Sequence, residues 1–277
     1  MLSNTTNVLA RRDLLRVLVS AELRASTAQR KLGWLWWLID PLLMMLIYWG
    51  IVVGLFGRGR AEYDPYWVFI FFGLLAWKQI SQCLSKATDS LRSHRSLIRA
   101  VPFPTVILPL ASLFSSFVHF LAGFGVLGVM ATLAPSPLHS GSLLPLLQLP
   151  LLFLLHITVL AGLVMVVACY GLIFRDLSGL MPHLLRIGFY FSPALFGPDL
   201  VEATLSQRMP QPLAELAYGL FMLNPFALVM TGYRASVFYG QFLPMANWGV
   251  LVAEAAISLV IGYRVYQHHD RRVIKFL

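Results

Sequence analysis

Long apolar runs constrain this chain more than any other feature. From Trp34 to Leu55 there is a single charged residue, Asp40, and about 20 such residues in a helix match the ~30 Å hydrocarbon layer of a bilayer. Comparable runs lie near 66–84, 105–133, 143–173, 182–197 and 247–266. Inside lipid every backbone amide needs a partner within its own segment or within a closed barrel, and continuous rather than alternating apolar runs select helices. The expected fold is therefore an all-α polytopic membrane protein with six transmembrane helices, at 34–57 and the five ranges above, in one transmembrane domain over 1–277.

Charge gives the expected orientation. The formal charge of +9 is unevenly spread. Arg11, Arg12, Arg16, Arg24, Arg30 and Lys31 precede the first run; Lys86, Arg92, Arg95 and Arg99 follow the second; Arg264, Arg271, Arg272 and Lys275 close the chain. In the other connections, basic residues are offset by Glu62, Asp64, Asp199, Glu202 and Glu215. The positive-inside rule then places both termini and the 85–103 connection in the cytoplasm, which an even number of spans allows. With so apolar a chain, the basic excess points to a membrane and not to nucleic acid. The first run lies behind a long basic leader and is expected to stay as an anchor rather than act as a cleaved signal.

Local patterning adds three elements. Over 8–32, Arg12, Arg16, Ser20, Arg24, Thr27 and Lys31 recur on one side of a helix, and Leu14, Leu18, Ala21, Ala25, Ala28 and Leu32 on the other. Such a helix lies in the inner leaflet's interface or packs, solvated, on the protein. Trp34, Trp36 and Trp37 follow at the depth where indoles anchor a span. In 85–103, Leu84, Leu91 and Ile98 repeat every seven residues before Pro102 and Pro104, the pattern of either a docking helix or a solvated loop. Between Ser192 and Asn247, Pro193, Pro198, Pro210, Pro212, Pro225, Gly240 and Pro244 divide apolar pieces too short to span. Irregular backbone at membrane depth is tolerated only in protein or beside a watery cavity, so 199–240 reads as re-entrant helices between spans five and six, beside a pathway.

Enzymatic signatures are sparse. No lysine follows a glycine, which excludes a phosphate-cradling P-loop, and neither HExxH nor GxSxG occurs. Cys83 and Cys169 lack metal-ligand spacing and read as small buried hydrophobes. No metal site is expected, and the adjacent His268 and His269 read as part of a solvated basic tail. Two intramembrane carboxylates need an account: Asp40 as an interfacial residue or a polar contact at the mouth of a conduit, and Glu254 as half of a structural pair or a pathway residue. Lys78 is expected near the end of the second span, snorkelling to the interface. Aromatic residues make up 13% of the chain and cluster at 34–37, 48–49, 66–72 and 189–196. Most suit interfacial belts, and those facing inward suit a conduit for a glycan.

Several short motifs then fall in order along the chain. The run LGWLWWLIDPLL at 32–43 resembles the LGxLWxxxNPLL that opens the first span of type-2 ATP-binding-cassette exporter permeases, particularly those exporting polysaccharides and polyol-phosphate polymers of the O-antigen, capsule or teichoic acid type. Phe103-Pro104 with Leu108-Pro109 is similar to that family's FPxxxLP, and Phe174-Arg175-Asp176 to its FRD. Asn224-Pro225, Tyr233-Arg234 and Tyr239-Gly240 match its NPxxxxxxxYRxxxxYG. Asp40 stands where the family usually has Asn, and Thr105 where a basic residue is common.

The resemblance implies a permease subunit of the bacterial cytoplasmic (inner) membrane, acting as a homodimer above two copies of a nucleotide-binding ATPase. ATP and magnesium would sit on that partner, with no cofactor on this chain and no catalysis by it alone. Segment 8–32 would be the interface helix and 86–99 the coupling helix, with Asp89, Leu91, Arg92, His94, Arg95 and Ile98 as coupling candidates. Arg24, Arg30 and Lys31 are candidates for the headgroup of a lipid-linked glycan, and Trp34, Trp37, Asp40, Tyr48, Trp49 and Glu254 for the conduit. The competing readings are a type-2 exporter of drugs or small lipids, a membrane-embedded enzyme acting on lipid-linked sugars, and a secondary transporter.

Overall fold

A computed structural model describes residues 12–28, 31–55, 57, 63–101, 103–133 and 143–276, and every regular element among them is helical. The order is α1 (Arg12–Thr27), α2 (Trp36–Trp49, continued by a π-helical turn Gly50–Leu55), α3 (Tyr66–Ser93), α4 (Arg95–Ala100) and α5 (Ile107–Leu133). Then come α6 (Leu149–Ile173, after a 3₁₀ turn Leu144–Gln148), α7 (Leu177–Tyr190), α8 (Pro198–Arg208), α9 (Gln211–Met222), α10 (Pro225–Tyr233, continued by a π turn Arg234–Phe238) and α11 (Met245–Phe276). Among the described residues, five helical segments are long and apolar enough to cross a membrane, and the bent pair Gln211–Met222 and Pro225–Phe238 makes up to six.

Two elements differ from the sequence expectation. The helix in the region of the fifth expected span is α7, 14 residues from Leu177 to Tyr190 rather than 182–197; it is about 21 Å long, short of the hydrocarbon thickness. It stops because Ser192-Pro193 follows, and proline withholds the amide that would continue the helix. The second span does not end at 84 before a separate coupling helix over 86–99. Helix α3 runs unbroken for 28 residues to Ser93, and a six-residue α4 follows His94. Lys78, Ser81, Gln82, Ser85 and Lys86 form a polar stripe along one side of α3 that can be buried between neighbours, so the charges there do not end the helix.

Helix α3 is the central post, with Val68–Ala76 almost wholly shut from solvent. It packs against α2, α5, α6 and α7, while α6 pairs with α11. The α6–α11 pair is close because both sides are small: a Cβ on Gly162 would lie 2.1 Å from the Ser258 carbonyl oxygen, and one on Gly262 would lie 2.3 Å from the Gly162 carbonyl oxygen. Small residues let helix backbones approach where lipid offers no hydrophobic drive. Cys83 and Cys169 are buried in the core, as expected. Helix α1 packs on α5: Leu14, Leu15 and Leu18 lie against Leu91, Phe103, Ile107 and Leu108, whereas Ala21 and Ala25 from its expected apolar side stay exposed.

Opposite the α4 end, the chain leaves helical geometry over 191–197, and side chains complete its hydrogen bonding. The Arg234 guanidinium, 1% exposed, donates from Nη1 to the Pro193 carbonyl at 2.5 Å and the Phe196 carbonyl at 3.1 Å. Its Nη2 donates to Ala194 at 2.8 Å and its Nε to Phe69 at 3.2 Å. The Tyr66 hydroxyl takes the Leu195 carbonyl at 2.8 Å. Asn224 accepts from the Phe226 amide, capping α10, and donates to Ser192 Oγ at 3.0 Å. The Phe69 ring lies 3.8 Å beneath the guanidinium carbon, a cation–π contact strengthened by burial. Beside this clamp the Tyr63 hydroxyl donates to Asp199; burial first, then that bond and the carboxylate's charge, push the tyrosine's pKa above its usual value.

Gly262→Leu forces α6 and α11 apart, and the purified protein should lose about 1–3 kcal/mol or more, read as a lower Tm in detergent. Gly249→Leu on the same helix, where nothing lies within 4 Å of a Cβ, should leave Tm near wild type. Arg234→Lys keeps the charge but cannot fan out to four carbonyls; it should lower Tm and expose the 191–197 turn to protease, whereas loss of the exposed Arg208 should do neither.

Candidate site: an ion pair between an aromatic groove and a polar cavity

The polar centre of the bundle is built by α2 and α3. Asp40 lies in the second turn of α2, next to Pro41, and its Oδ2 is 2.5 Å from the Lys78 ammonium. Helix α3 is about 42 Å long, so Lys78, twelve residues along it, is near the middle rather than at an end. The side chain reaches across to a carboxylate instead of snorkelling. The Asp40 and Lys78 side chains are 49% and 21% exposed, and an ion pair with water on one side is tolerated at a depth where a lone charge is expensive. Asp40 is thus one half of a partly solvated ion pair.

A hollow lies on each side of the pair. One is a groove of about 410 Å³ between α2, α3 and α7, which Asp40 and Lys78 line together with Met44, Tyr48, Trp77, Arg186, Phe189 and Tyr190. Its aromatic rings form a continuous strip: Tyr48 and Trp77 each lie 5.9 Å from Phe189, centroid to centroid, and Tyr190 lies 5.4 Å from it. Trp77 also meets Phe226 edge-on at 5.9 Å, so the end of α7 and the start of α10 converge midway along α3. The other hollow, about 430 Å³, lies between the end of α1, α2, α3 and α5 and shares the same ion pair.

The expected conduit residues therefore divide. Trp37 lines the second cavity, Tyr48 the groove and Asp40 both. Trp49 is 39% exposed and lines neither, one residue round the helix from Tyr48. Trp34 sits in the 3₁₀ turn Gly33–Leu35, and its side chain lies outside the described residues. Glu254 is on α11, which packs on α6 and α10. It reaches neither hollow, and both its carboxylate oxygens are buried without a hydrogen-bond partner among the described residues. Helix pitch explains the division: a one-residue step turns a side chain by about 100°, so a linear cluster of aromatics cannot share one face.

Arg24 and Lys31 are exposed at the end of α1 and in the turn after it, and Arg30 lies outside the described residues. Glu22 ties this part of α1 down, accepting from Ser112 at 2.9 Å and Ser115 at 2.5 Å and facing Lys86 at 3.4 Å. At the foot of α3, Asp89 pairs with Arg92 at 3.2 Å, and Arg92 donates to the Gly171 carbonyl of α6 at 2.7 Å. Leu91 is 1% exposed and so belongs to the support of α4 rather than to any contact surface. Ile98 packs beside it with Leu97. His94 forms the joint between α3 and α4, its Nδ1 2.9 Å from the Ser90 carbonyl. Arg95, Ser96 and Arg99 face outward. Sequence reading missed Gln79, His119, Arg186 and the clamp at Arg234; the polar repeat on α3 and the Ser112, Ser115, Ser116, His119 repeat on α5 were the available signal.

Neutralising one partner of the pair should harm transport more than neutralising both. Lys78→Met or Asp40→Asn alone leaves the other member of the pair unmatched, and Asp40→Asn with Lys78→Met removes both members. Export rates should show a coupling of about 0.5–3 kcal/mol in a double-mutant cycle, and strictly additive losses would mean the contact does not matter.

No protein-family model matches the chain. It is 28% identical over 253 residues, covering 90% of this chain and 88% of the relative, to the O-antigen export system permease protein RfbA of Myxococcus xanthus. It is also 23% identical over 266 residues, 96% of this chain and 95% of the relative, to a protein of the same name from Klebsiella pneumoniae. A second Klebsiella pneumoniae protein of that name is 22% identical over 265 residues, 96% of this chain and 95% of the relative. The chain is thus similar along nearly its whole length to O-antigen export permeases, and among its described residues it is a helical bundle with five to six candidate membrane spans.

Proposed function

We propose that this chain is the membrane-spanning, non-catalytic subunit of an ATP-driven exporter that moves lipid-linked polysaccharide of the O-antigen type out of the cytoplasm. The observation that carries the reading is the groove: a strip of aromatic rings interrupted by an ion pair and Arg186. Ring faces pack on the C–H faces of sugars without fixing one sequence of residues, and the charged groups keep the wall wet. The relatives' names support the choice of cargo.

Two copies of the chain would face each other across the groove. Along its rim, α7 exposes Leu184, Ile187 and Tyr190, with Phe191 just after it, and α2 exposes Leu43, Met44, Leu46 and Ile47. Closure by a second protomer would turn two half-lined grooves into one conduit. Both termini and α4 would be cytoplasmic, with Arg24 and Lys31 near the headgroups of the lipid-linked cargo, and the α9–α10 pair, bent by 80° at Leu223-Asn224, would be re-entrant from the outer side.

A separate ATPase subunit, holding ATP and magnesium, would dock against the outward face of α4. Helix α4 is too short to move alone: Leu97 and Ile98 are packed into the cluster formed by Leu91, Ile107, Leu108 and the leucines of α1. A push on α4 therefore reaches α1, α3 and α5 together. ATP opens the conduit only through contacts that differ between the two states of the ATPase, since equal contacts shift no equilibrium.

Co-purified with its ATPase and reconstituted in vesicles, the complex should hydrolyse ATP faster when the lipid-linked glycan is present, and the chain alone should hydrolyse none. Arg95→Glu with Arg99→Glu should cut stimulated hydrolysis and export at least tenfold while the chain still folds. Export driven by a proton gradient without an ATPase would overturn the reading.

A further inference from the structure

The cavity on the other side of the Asp40–Lys78 pair is not part of the groove, and its chemistry differs. Gln79 lines it, is 2% exposed, and has no hydrogen-bond partner for either its amide oxygen or its amide nitrogen among the described residues. The Trp37 indole nitrogen and His119 Nε2, from two other helices lining the same cavity, are likewise shut from solvent and unpaired. The two rings lie against each other with centroids 4.0 Å apart. Polar groups buried without partners are uncommon in folded proteins, and three converging from α2, α3 and α5 on one cavity mark a place built to meet hydrogen-bonding matter. Its volume, about 430 Å³, lies within the roughly 300–1,000 Å³ of small-molecule sites.

Charge narrows the ligand. Besides Asp40 and Lys78, the charged lining residue is Lys86, which faces Glu22. Each lysine is thus matched by a carboxylate. With Lys78 matched by Asp40 and Lys86 by Glu22 behind it, neither sign of ligand charge is favoured. The unpaired groups also mix roles: the indole nitrogen only donates, the amide both donates and accepts, and the imidazole nitrogen takes one role according to its tautomer. Hydroxyl groups, which donate and accept at one atom, satisfy such a set, and the Trp36 and Phe120 side chains in the lining offer apolar surface beside it.

We infer that this cavity is a subsite for one neutral sugar residue, separate from the export groove and divided from it by the Asp40–Lys78 pair. It deepens the glycan-export reading: a chain in the groove and a sugar in the cavity would press on the same ion pair from opposite sides, so occupancy of the cavity would report on the groove. The binding claim itself needs only the cavity.

The test uses the whole complex with its ATPase in nanodiscs, titrated with neutral monosaccharides and, separately, with inorganic phosphate, following tryptophan emission. Neutral sugar should bind saturably, phosphate should not, and Gln79→Leu or His119→Phe should each weaken sugar binding at least tenfold. Without sugar, Gln79→Leu should have a Tm no lower than wild type, since it removes a polar group that the fold leaves unpaired. Phe189→Ala, which alters only the groove, should impair glycan export and leave sugar binding to the cavity intact. Unchanged binding in the Gln79 variant, preferential phosphate binding, no sugar binding at all, or a large Tm loss in Gln79→Leu would each overturn the subsite. Sugar binding that persists in a complex that exports no glycan would instead sink the export reading and spare the cavity.

Discussion

The whole arrangement depends on how this chain satisfies backbone carbonyls where its helices break. A bilayer offers no water to a carbonyl that has lost its helical donor, yet the segment after α7 leaves helical geometry for several residues. Arg234 resolves this with one planar group that reaches Phe69, Pro193, Ala194 and Phe196, and Tyr66 takes the Leu195 carbonyl between them. No carboxylate is needed beside so buried a cation, because four carbonyl dipoles and the Phe69 face supply the negative potential. Close contact is the geometric condition: a Cβ on Gly73 would sit 2.1 Å from the Ala194 carbonyl oxygen, so only glycine lets this turn rest on α3.

That clamp has a consequence about a dozen residues along α3. With the 191–197 turn fixed at one end, the end of α7 and the start of α10 are both brought to Trp77, and Phe189 is placed between Trp77 and Tyr48. The aromatic wall of the groove is thus a result of backbone satisfaction elsewhere. The polar wall arises from the other direction, through ion pairs. Asp40 with Lys78, and Glu22 with Lys86 and the serines of α5, stitch α1, α2, α3 and α5 together. The cluster beneath α4 packs α1, α3 and α5 together, and α3 is the helix that it shares with the groove.

The aromatic clusters show how much of the site could be read in advance. Trp36, Trp37, Tyr48 and Trp49 are close in sequence, but helical pitch sends Trp37 into one cavity, Tyr48 into the groove and Trp49 away from both. Lys78 was visible as a charge in an apolar run; its partner was not, since thirty-eight positions separate it from Asp40 and only packing of α2 on α3 joins them. The polar repeats on α3 and α5 and the Tyr233-Arg234 motif were the local signal for Gln79, His119 and Arg234, but not for which hollow or carbonyl each one meets.

The apolar runs by themselves determined an all-helical membrane bundle, because hydrocarbon leaves a backbone few other ways to pair its amides, and the proline-rich stretch determined where that regularity fails. Ordered motifs along the chain gave its resemblance to exporter permeases. Tertiary structure alone decided which charges neutralise each other, which face of each helix turns to a hollow, and that one ion pair divides two hollows of different chemistry. Those are long-range contacts between side chains far apart in the chain, and periodicity fixes a residue's angle on its own helix but not the helix that it meets.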